Sequence, residues 1–521
     1  MTTEKTSKYA RYAMHKYWGK KPATGLRHLI NKFTQEGDIV LDPFAGYGVF
    51  CCEAFLAGRS VIINDLNPAA NFISETLLNH NIDLKRVKSA WEKISKELTP
   101  FVNQWYTITI EGNSYTALSI LRENSGLPIK FTYREGRTTK SMDIPTDVAQ
   151  EFLRKEGESV ISDWFPQNYL IPNSRISVQE GMKVSDLFTK RTLACHARLL
   201  ALINQHSKGH ERDLLLLAFT ANLANCSKLV PPIKSRGDIA QGAWMTGFYV
   251  GETFIENNVQ HYYFNRLNKA IRGKEEFLQL VPSTENLFSS IQQKSMADYT
   301  ITKFDAKRLK LENNSIDYIF TDPPYGDSVP YFEQSALWNS WLKLSPDYES
   351  EIVISDSRSR NKTLCQFEAD IHQAISEIHR VLKTDKYFSI TFHSLSGLEW
   401  KAISNACVRN NFQVVTYEWL VQKTYTPRQL NRLKTIKGDV LVTFIKKDQL
   451  PTPYHTSDEQ LKSELMNFID TTLRIEPRDT NSMMIEIMEW VLRSRIIIDN
   501  LDIFDVLNKN YSINDDGMWI L

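Results

Sequence analysis

The 521-residue sequence lacks the features that would place it among secreted, disulfide-bonded or membrane proteins. Its six cysteines form no C-x-x-C pair, so the sequence predicts neither a zinc site nor a disulfide framework. The amino-terminal stretch MTTEKTSKYARYAMHK is charged and has no apolar core, so no signal peptide is predicted. No apolar run approaches the length of a membrane span. We therefore expect a cytoplasmic protein with reduced thiols, no membrane contact and no bound metal.

The sequence also lacks a strong charge of either sign. Its formal net charge is +1, so bulk electrostatics does not indicate a nucleic-acid partner, and any such contact must come from local basic patches. Hydrophobic residues make up 42% of the chain and aromatic residues 11%, which is typical of an ordinary globular protein. The length allows a catalytic core with two or three further modules.

The most informative segment is IDYIFTDPPYGDSVPY. Its apolar run predicts a short buried strand, and the two prolines of Asp322-Pro323-Pro324-Tyr325 turn the chain at the carboxyl edge of the sheet. There the Asp322 carboxylate and the Pro323 carbonyl can accept both hydrogens of an exocyclic amine, while Tyr325 offers a stacking face. The alternative is a Pro-Pro turn with a surface aspartate and a packed tyrosine.

A second segment, GDIVLDPFAGYGVFCCEAFLAGRSVIIND, predicts a strand, a glycine turn, a helix and another strand. Asp42 closes the first strand, Gly46 and Gly48 allow a tight turn close to a ligand, and Asp65 closes the second strand, where an acid can bind ribose hydroxyls. Position 51 is cysteine, so the dinucleotide motif G-x-G-x-x-G is absent, and no phosphate-binding Lys-Ser/Thr follows. The pattern favours an adenosine ligand without a pyrophosphate, with S-adenosylmethionine as the candidate.

Taken together, D-P-F-A-G-Y-G and T-D-P-P-Y resemble the amino-methylating DNA methyltransferases, which methylate adenine N6 or cytosine N4. The sequence departs from the family pattern at Val49, where a hydroxyl residue is usual, and at Tyr47, where a small residue is usual. The resemblance implies an α/β fold, with a Rossmann-like methyltransferase core interrupted by a mixed, largely helical insertion and followed by a small helical module.

The resemblance also implies roles for individual residues. The segment HKYWGKKPATGLRHLI would pack on the methionine end of the cofactor, and Asp305 in KFDAKRL would contact its adenine. The cofactor-binding residues predicted in this way are Lys21, Pro22, Asp42, Pro43, Phe44, Gly46, Gly48, Asp65 and Asp305. The predicted catalytic residues are Asp322, Pro323, Pro324 and Tyr325.

Four parts of the chain follow from this order of motifs. Residues 1–80 are predicted as the S-adenosylmethionine-binding half and residues 296–450 as the catalytic half. Residues 81–295 between them are predicted as an insertion that holds a target-recognition region and packing helices. Residues 451–521 are predicted as a helical tail, for which a winged helix is one interpretation.

Basic loops are the candidate DNA contacts, because flexible loops of Lys, Arg, Ser and Asn are typical phosphate ligands. One is ISDSRSRNK, another is VQKTYTPRQLNRLKTIKG, and the loop KLVPPIKSRGD is a weaker candidate. The predicted nucleic-acid-binding residues, including one aromatic residue beside the catalytic turn, are Tyr331, Arg358, Arg360, Lys362, Lys423, Arg428, Arg432 and Lys434. For any single loop, a solvated surface is the alternative.

The sequence thus predicts a site-specific methyltransferase acting on double-stranded DNA, with adenine N6 favoured as the acceptor. By resemblance the setting is a restriction or defence system with partner proteins. Cytosine N4 methylation, guanine N2 methylation of tRNA or rRNA, and a non-catalytic DNA-binding subunit stay open as alternatives. Methylation of an amine needs no strong base before attack, so His372, His379 and His393 are interpreted as structural.

Overall fold

The computed structural model describes residues 8–237, 239–281, 298–392, 398–420 and 439–521. Four of the predicted DNA contacts, Lys423, Arg428, Arg432 and Lys434, lie outside these ranges, as does His393. All six cysteines are free thiols; five are buried and Cys365 is exposed. Within the described residues, no helix is both long and apolar enough to cross a membrane.

The amino-terminal half alternates helices and parallel strands, as the motifs predict. Its elements are α1 (Ala23–Phe33), β1 (Ile39–Asp42), α2 (Val49–Leu56), β2 (Ser60–Asn64) and α3 (Pro68–Leu78). Asn67 caps α3 by accepting a hydrogen bond from the backbone N–H of Ala69, and Pro68 stands at the first helical position, where a missing N–H costs nothing.

The insertion contains a small antiparallel sheet surrounded by helices. Its elements are α4 (Leu84–Tyr106), β3 (Thr107–Ile110), β4 (Asn113–Glu123), β5 (Pro128–Glu135), β6 (Thr138–Asp143), α5 (Thr146–Glu158), α6 (Lys190–His206), α7 (Gly209–Leu223), β7 (Thr253–Asn257) and α8 (Val259–Leu280). Strands β3 to β6 pair in chain order, and β7 pairs antiparallel with residues 119–123 of β4, beyond its pairing with β3.

The carboxyl-terminal half completes the central sheet. Its elements are β8 (Tyr299–Thr302), β9 (Ile316–Thr321), α9 (Tyr331–Trp341), α10 (Leu364–Val381), β10 (Leu382–Phe392), α11 (Leu398–Arg409), β11 (Phe412–Leu420) and β12 (Asp439–Lys446). The tail adds helices Asp458–Ile475, Thr480–Arg493 and Ile503–Asn510. Three short strands, Arg478–Asp479, Ser512–Ile513 and Met518–Ile520, form a small sheet beside those helices.

The central sheet has seven strands in the order β11-β12-β10-β9-β1-β2-β8. Neighbours from β10 to β8 are parallel, whereas β12 is antiparallel to both β10 and β11. The order reverses between β9 and β1, and ligands of open α/β sheets bind where the strand order reverses. The prediction of a Rossmann-like α/β core split by an insertion is confirmed.

Two apolar cores cover the sheet. One joins the amino-terminal half to the insertion, and the other joins the catalytic half to the tail. Helices α6 and α7, which the sequence predicts as packing helices, bury more than half of their residues in the first core. The insertion and the tail therefore share their apolar interiors with the sheet.

Candidate active site

A cleft of about 910 Å³ opens at the carboxyl ends of β1, β2 and β9. It is lined by both halves of the core, because Gly46 comes from the glycine turn after β1 and Asp322 from the turn after β9. Strands β1 and β9 are direct neighbours in the sheet, with Leu41 opposite Ile319. Parallel neighbours end at the same edge, so two motifs almost 280 residues apart meet in one cavity.

The glycine turn has a conformation that other residues rarely adopt. Gly46 has φ +53°, and a Cβ there would lie 3.0 Å from the ring of Tyr17. Gly48 has φ +80°, and a Cβ there would lie 2.9 Å from Cβ of Ser74. Both positions combine a left-handed backbone with close packing, so the turn requires glycine.

Two aspartates shape the floor of the cleft, of which Asp42 is buried and Asp65 half-buried. Asp65 accepts hydrogen bonds from the backbone N–H groups of Gly46 and Asn67, each at 2.8 Å, and burial raises its pKa to about 6. Asp42 accepts from the N–H of Phe44 and the hydroxyl of Thr321, each at 3.1 Å, and burial raises its pKa well above the ordinary value. Asp65 is therefore ionised at neutral pH, whereas Asp42 is a structural link between β1 and β9.

Asn64 fixes the third strand end of the cleft. Its Nδ2 donates to the carbonyls of Pro43 and Phe304, both at 3.0 Å, and its Oδ1 accepts from the N–H of Phe304 at 2.8 Å. These bonds hold Phe304 and Asp305 at the rim, where both line the cavity.

Asp322 is held by three donors on one oxygen. Its Oδ1 accepts from Thr391 Oγ1 at 2.5 Å, lies 2.9 Å from Lys21 Nζ, and accepts from the hydroxyl of Tyr325. Burial raises the pKa of Asp322, while Lys21 lowers it. The other oxygen, Oδ2, faces Gly19 on the cleft side, since a Cβ at Gly19 would lie 3.2 Å from it.

Tyr325 differs from its expected role as a stacking face. The ring is buried (8% exposed) behind the wall of the cleft, and its hydroxyl bonds Asp322 and the carbonyl of Thr391. Tyr331, predicted as a nucleic-acid contact beside the catalytic turn, lines the cleft. It stacks with Tyr17 at 6.3 Å between ring centroids, and Trp18 is packed edge-on against it. Aromatic faces for a flat ligand therefore come from Tyr17, Trp18 and Tyr331.

The structure brings most of the predicted site residues together. Those that line the cleft are Lys21, Asp42, Pro43, Phe44, Gly46, Asp65, Asp305, Asp322, Pro324 and Tyr331. Pro22, Gly48 and Pro323 are not among the described lining residues, but each is next in the chain to a residue that lines the cleft. Lys21, expected at the methionine end of the cofactor, bridges Asp322 and Asp439, and Pro22 precedes α1 as its N-cap.

Two of the predicted DNA contacts are corrected by the structure. The side chain of Arg360 is 2% exposed and pairs with Glu333 at 2.7 Å and with Glu351, so it cannot reach a phosphate. Lys362 donates to the carbonyl of Glu351 at 2.6 Å and is largely buried. Arg358 is exposed, as expected of a phosphate contact.

Several residues of the cleft were not predicted. Tyr17, Trp18, Asn67 and Glu351 line it, and Asp439 holds Lys21 from the first position of β12. Burial raises the pKa of Glu351 to about 8. Tyr17 and Trp18 stand within the segment that the resemblance placed at the cofactor, so their position was a usable signal. Asp439 has no motif around it.

The chemistry of the cleft fits S-adenosylmethionine better than a nucleotide with phosphates. The Gly46 N–H, which could otherwise cradle a phosphate, is taken by the Asp65 carboxylate. Carboxyl groups outnumber lysines along the cleft, and within the described lining there is no arginine. Such a lining suits a cationic sulfonium and disfavours an anionic phosphate.

Comparison with known proteins gives short matches. A family model described as DNA methylase (N6/N4 methyltransferases) matches residues 2–75. The tRNA (guanine(37)-N(1))-methyltransferase of Saccharomyces cerevisiae is 32% identical over 88 residues, 17% of each chain. A protein named as a methylase, YubD of Escherichia coli, is 51% identical over 43 residues, 8% of this chain and 19% of that one. The matches thus span less than a fifth of these curated relatives.

Solved structures show weak overall likeness. A SAM-dependent methyltransferase from Methanosarcina mazei is 12% identical, with 33% of this chain and 79% of that chain covered and a TM-score of 0.17. A protein from Thermus thermophilus named as a DNA modification methylase is 15% identical, with 30% and 57% covered and a TM-score of 0.16. The fold assignment rests on the strand order of the sheet itself.

The family match covers the glycine turn and the segment before it, which carry half of the resemblance seen in the sequence. Together with the cleft, it confirms S-adenosylmethionine as the predicted cofactor. Over residues 2–75 the chain is thus similar to the amino-methylating DNA methyltransferases.

Proposed function

We propose that this chain transfers a methyl group from S-adenosylmethionine to the exocyclic amine of a base flipped out of double-stranded DNA, and that the acceptor is adenine N6. The observation that carries the proposal is the shared cleft, in which Asp322 and Gly46 line one cavity. The DNA methylase match over residues 2–75 supports DNA as the substrate. Adenine is preferred over cytosine because, by resemblance, cytosine enzymes often carry serine in place of Asp322.

Three groups of the cleft would hold the cofactor. Asp65 is ionised at neutral pH and can accept hydrogen bonds from ribose hydroxyls. Asp305 stands at the rim beside Phe304, where an adenine edge and face can be bound. Gly46 lets the backbone approach the ligand without a side chain between them. When bound, S-adenosylmethionine supplies an electrophilic methyl group.

Asp322 and the Pro323 carbonyl would hold the acceptor amine. Each accepts one amine hydrogen, which withdraws the nitrogen lone pair from ring conjugation and directs it at the methyl group. The proton leaves only after the methyl group has arrived, so no strong base is required beforehand. Asp322 must be ionised to accept, and Lys21 lowers its pKa against the effect of burial. Tyr331 and Trp18 offer the ring faces on which the base would stack.

We assign target recognition to the insertion, residues 81–295. Its segment around Arg175 reaches the catalytic turn, since Arg175 Nε donates to Asp327 at 3.0 Å. The backbone N–H of Ser174 donates to Asp356 at 3.1 Å. These contacts bring the insertion to the rim where a flipped base would enter. By resemblance, the cellular setting would be a restriction or defence system, with partner proteins of that system.

Methylation of tRNA is the second candidate, because the curated relatives include tRNA methyltransferases. Those proteins are named for the N1 position of guanine, a ring nitrogen, whereas the Asp322 turn suits an exocyclic amine. Their matches cover 17% and 14% of this chain, so the substrate of the relatives does not transfer to it.

Transfer of tritium from labelled S-adenosylmethionine to duplex DNA and to tRNA, measured side by side, separates the two candidates. We expect label in DNA, with N6-methyladenine after digestion. Asp322→Ala should lower the rate by about 100-fold or more, because one acceptor of the amine is lost. Asp505→Ala removes an exposed aspartate that also pairs with a lysine, at 2.7 Å, and should leave the rate unchanged. Undiminished DNA methylation by Asp322→Ala would refute the proposal.

A further inference from the structure

The two oxygens of the Asp322 carboxylate have different surroundings. Oδ1 receives Lys21, Thr391 and Tyr325, three donors for the roughly two lone-pair sites of one carboxylate oxygen, so it has no room for another donor. Oδ2 lies beside Gly19, which lines the cleft, since a Cβ added to Gly19 would lie 3.2 Å from it. A substrate amine that enters the cleft therefore meets Oδ2, while Oδ1 anchors the carboxylate to the protein.

Lys21 is the charged member of that anchor and is itself held from the other side. Its Nζ lies 2.9 Å from Asp322 Oδ1 and donates to Asp439 Oδ2 at 2.8 Å. The side chains of Lys21 and Asp439 are 7% and 1% exposed. Burial alone would lower the pKa of Lys21, but the two carboxylates raise it above the ordinary value, so the lysine stays charged.

The three residues come from three separate elements. Asp322 follows β9, Lys21 stands just before α1, and Asp439 begins β12. Because β12 pairs antiparallel with β10, its first residue lies at the carboxyl edge of the parallel strands. A charged group buried between carboxylates is costly unless its geometry is well satisfied, so the arrangement fixes all three side chains in one orientation.

We infer that Lys21 and Asp439 are positioning residues of the methyl-transfer site, in which Asp439 orients the Lys21 ammonium and the ammonium clamps Asp322 Oδ1 so that Oδ2 faces the acceptor amine. The inference rests on the proposed function and deepens it. It differs from the expectation that Lys21 contacts the methionine end of the cofactor. It also assigns a role to Asp439, which no motif marks.

The clamp predicts opposite pH effects for its two members. The charged or titratable groups that face Asp322 are Lys21, Asp439, Tyr325, Tyr331 and Asp42. Loss of the Lys21 charge removes the group that lowers the pKa of Asp322, so the acidic limb of the rate profile should move to higher pH. Loss of the Asp439 charge removes a group that raises this pKa, so the limb should move to lower pH.

The test compares Lys21→Met, Lys21→Arg, Asp439→Asn and the control Lys32→Met. Lys32 also pairs with a carboxylate, Glu418, at 2.9 Å, but its side chain is 41% exposed. Rates on duplex DNA are measured from pH 5 to 9, S-adenosylhomocysteine affinity by calorimetry, and folding by thermal unfolding. We expect Lys21→Met to lower kcat by about 100-fold with cofactor affinity within about twofold, because a misplaced carboxylate loses the attack geometry. Lys21→Arg should recover part of the rate, and Lys32→Met should match the wild type.

Each outcome decides the inference. An unchanged kcat and pH profile in Lys21→Met would overturn the clamp and leave the proposed function intact. A loss of S-adenosylhomocysteine affinity with kcat unchanged at saturating cofactor would make Lys21 a cofactor ligand, which also overturns it. If Lys21→Met does not fold, Asp439→Asn is the test. A shift of the acidic limb of its rate profile to lower pH supports the inference, and an unchanged limb overturns it. If the wild type methylates neither DNA nor tRNA, the proposed function fails, and a coupling between Lys21→Met and Asp322→Asn in the unfolding midpoint still tests the contact.

Discussion

Gly48 shows what a single residue does in this site. It begins α2 with φ +80°, and a Cβ there would lie 2.9 Å from Cβ of Ser74 in α3. The turn between β1 and α2 is therefore compressed against a neighbouring helix as well as left-handed. Gly112, in the hairpin between β3 and β4, has the same φ of +80° but nothing within 4 Å of the added Cβ. The two glycines separate backbone strain from crowding.

Gly48→Ala should destabilise the protein more than Gly112→Ala. Both alanines would pay about 1–2 kcal/mol for the left-handed backbone, and Gly48→Ala would add about 1–3 kcal/mol for the clash with Ser74. Only Gly48→Ala should also weaken S-adenosylmethionine binding, since the turn carries Gly46. Chemical unfolding and calorimetry measure the two effects. Equal losses of stability in both variants would contradict the packing argument.

Single residues also show where prediction from sequence stopped. Asp322, Gly46 and Asp65 were predictable because strand-end motifs surround them. Arg360 was predicted as a phosphate contact because its Ser/Asn-rich loop looks solvated, yet Glu333 and Glu351 converge on it from α9 and the following loop. Asp439 was not predictable, since its partner Lys21 is 418 residues away. Pairings made only by tertiary packing leave no local pattern in a sequence.

At the scale of elements, four buried charges join the parts of the insertion. Arg122 of β4 pairs with Glu156 of α5 at 2.8 Å and with Glu256 of β7, and Arg191 of α6 lies 2.9 Å from Glu256. Burial alone would raise the pKa of Glu256, but Arg122 and Arg191 lower it to about 2. These ion pairs join β4, β7, α5 and α6 through charges that are costly to bury unless they are paired.

Glu256→Gln should lower the free energy of unfolding by about 3–5 kcal/mol, because two arginines would stay buried without their shared carboxylate. In the wild type, the pKa of Glu256 is lower in the folded protein than in the unfolded chain. The stability that Glu256 contributes should therefore be lost as pH falls from its pKa in the unfolded chain towards about 2. Chemical unfolding at several pH values checks both statements. The exposed Glu151, which pairs with Arg154 on the surface of α5, is the control and should tolerate Gln without a change in the unfolding midpoint. If Glu256→Gln changed the free energy of unfolding only slightly, apolar contacts would be sufficient to hold the insertion together.

Across the whole molecule, charge is divided between the body and the tail. Residues 451–521 contain 13 acidic and six basic residues, a formal charge of −7, whereas the whole chain carries +1. Residues 1–450 are therefore at +8. A polyanion is attracted to the body and repelled by the tail, although the helices and small sheet of the tail are compatible with a winged helix. The tail also shares an apolar core with the catalytic half, and this packing is consistent with a role in stabilising the central sheet.

Addition of duplex DNA should slow amide hydrogen exchange in the insertion and around the cleft but not in residues 451–521. The reason is electrostatic, so the protection should weaken as salt rises. Hydrogen-exchange mass spectrometry at two salt concentrations measures it. Protection of the helix Thr480–Arg493 would contradict this expectation and favour a DNA-binding winged helix.

The contact between Lys21 and Asp439 also bears on how the protein is made. The two residues are 418 positions apart, so a nascent chain cannot form the contact until most of it has left the ribosome. The amino-terminal half emerges first, yet β1 and β2 must wait for β9 and β8 before their outer edges are covered. Unfinished chains would therefore lack this contact and keep strand edges uncovered until synthesis is complete, which is the state that chaperones protect.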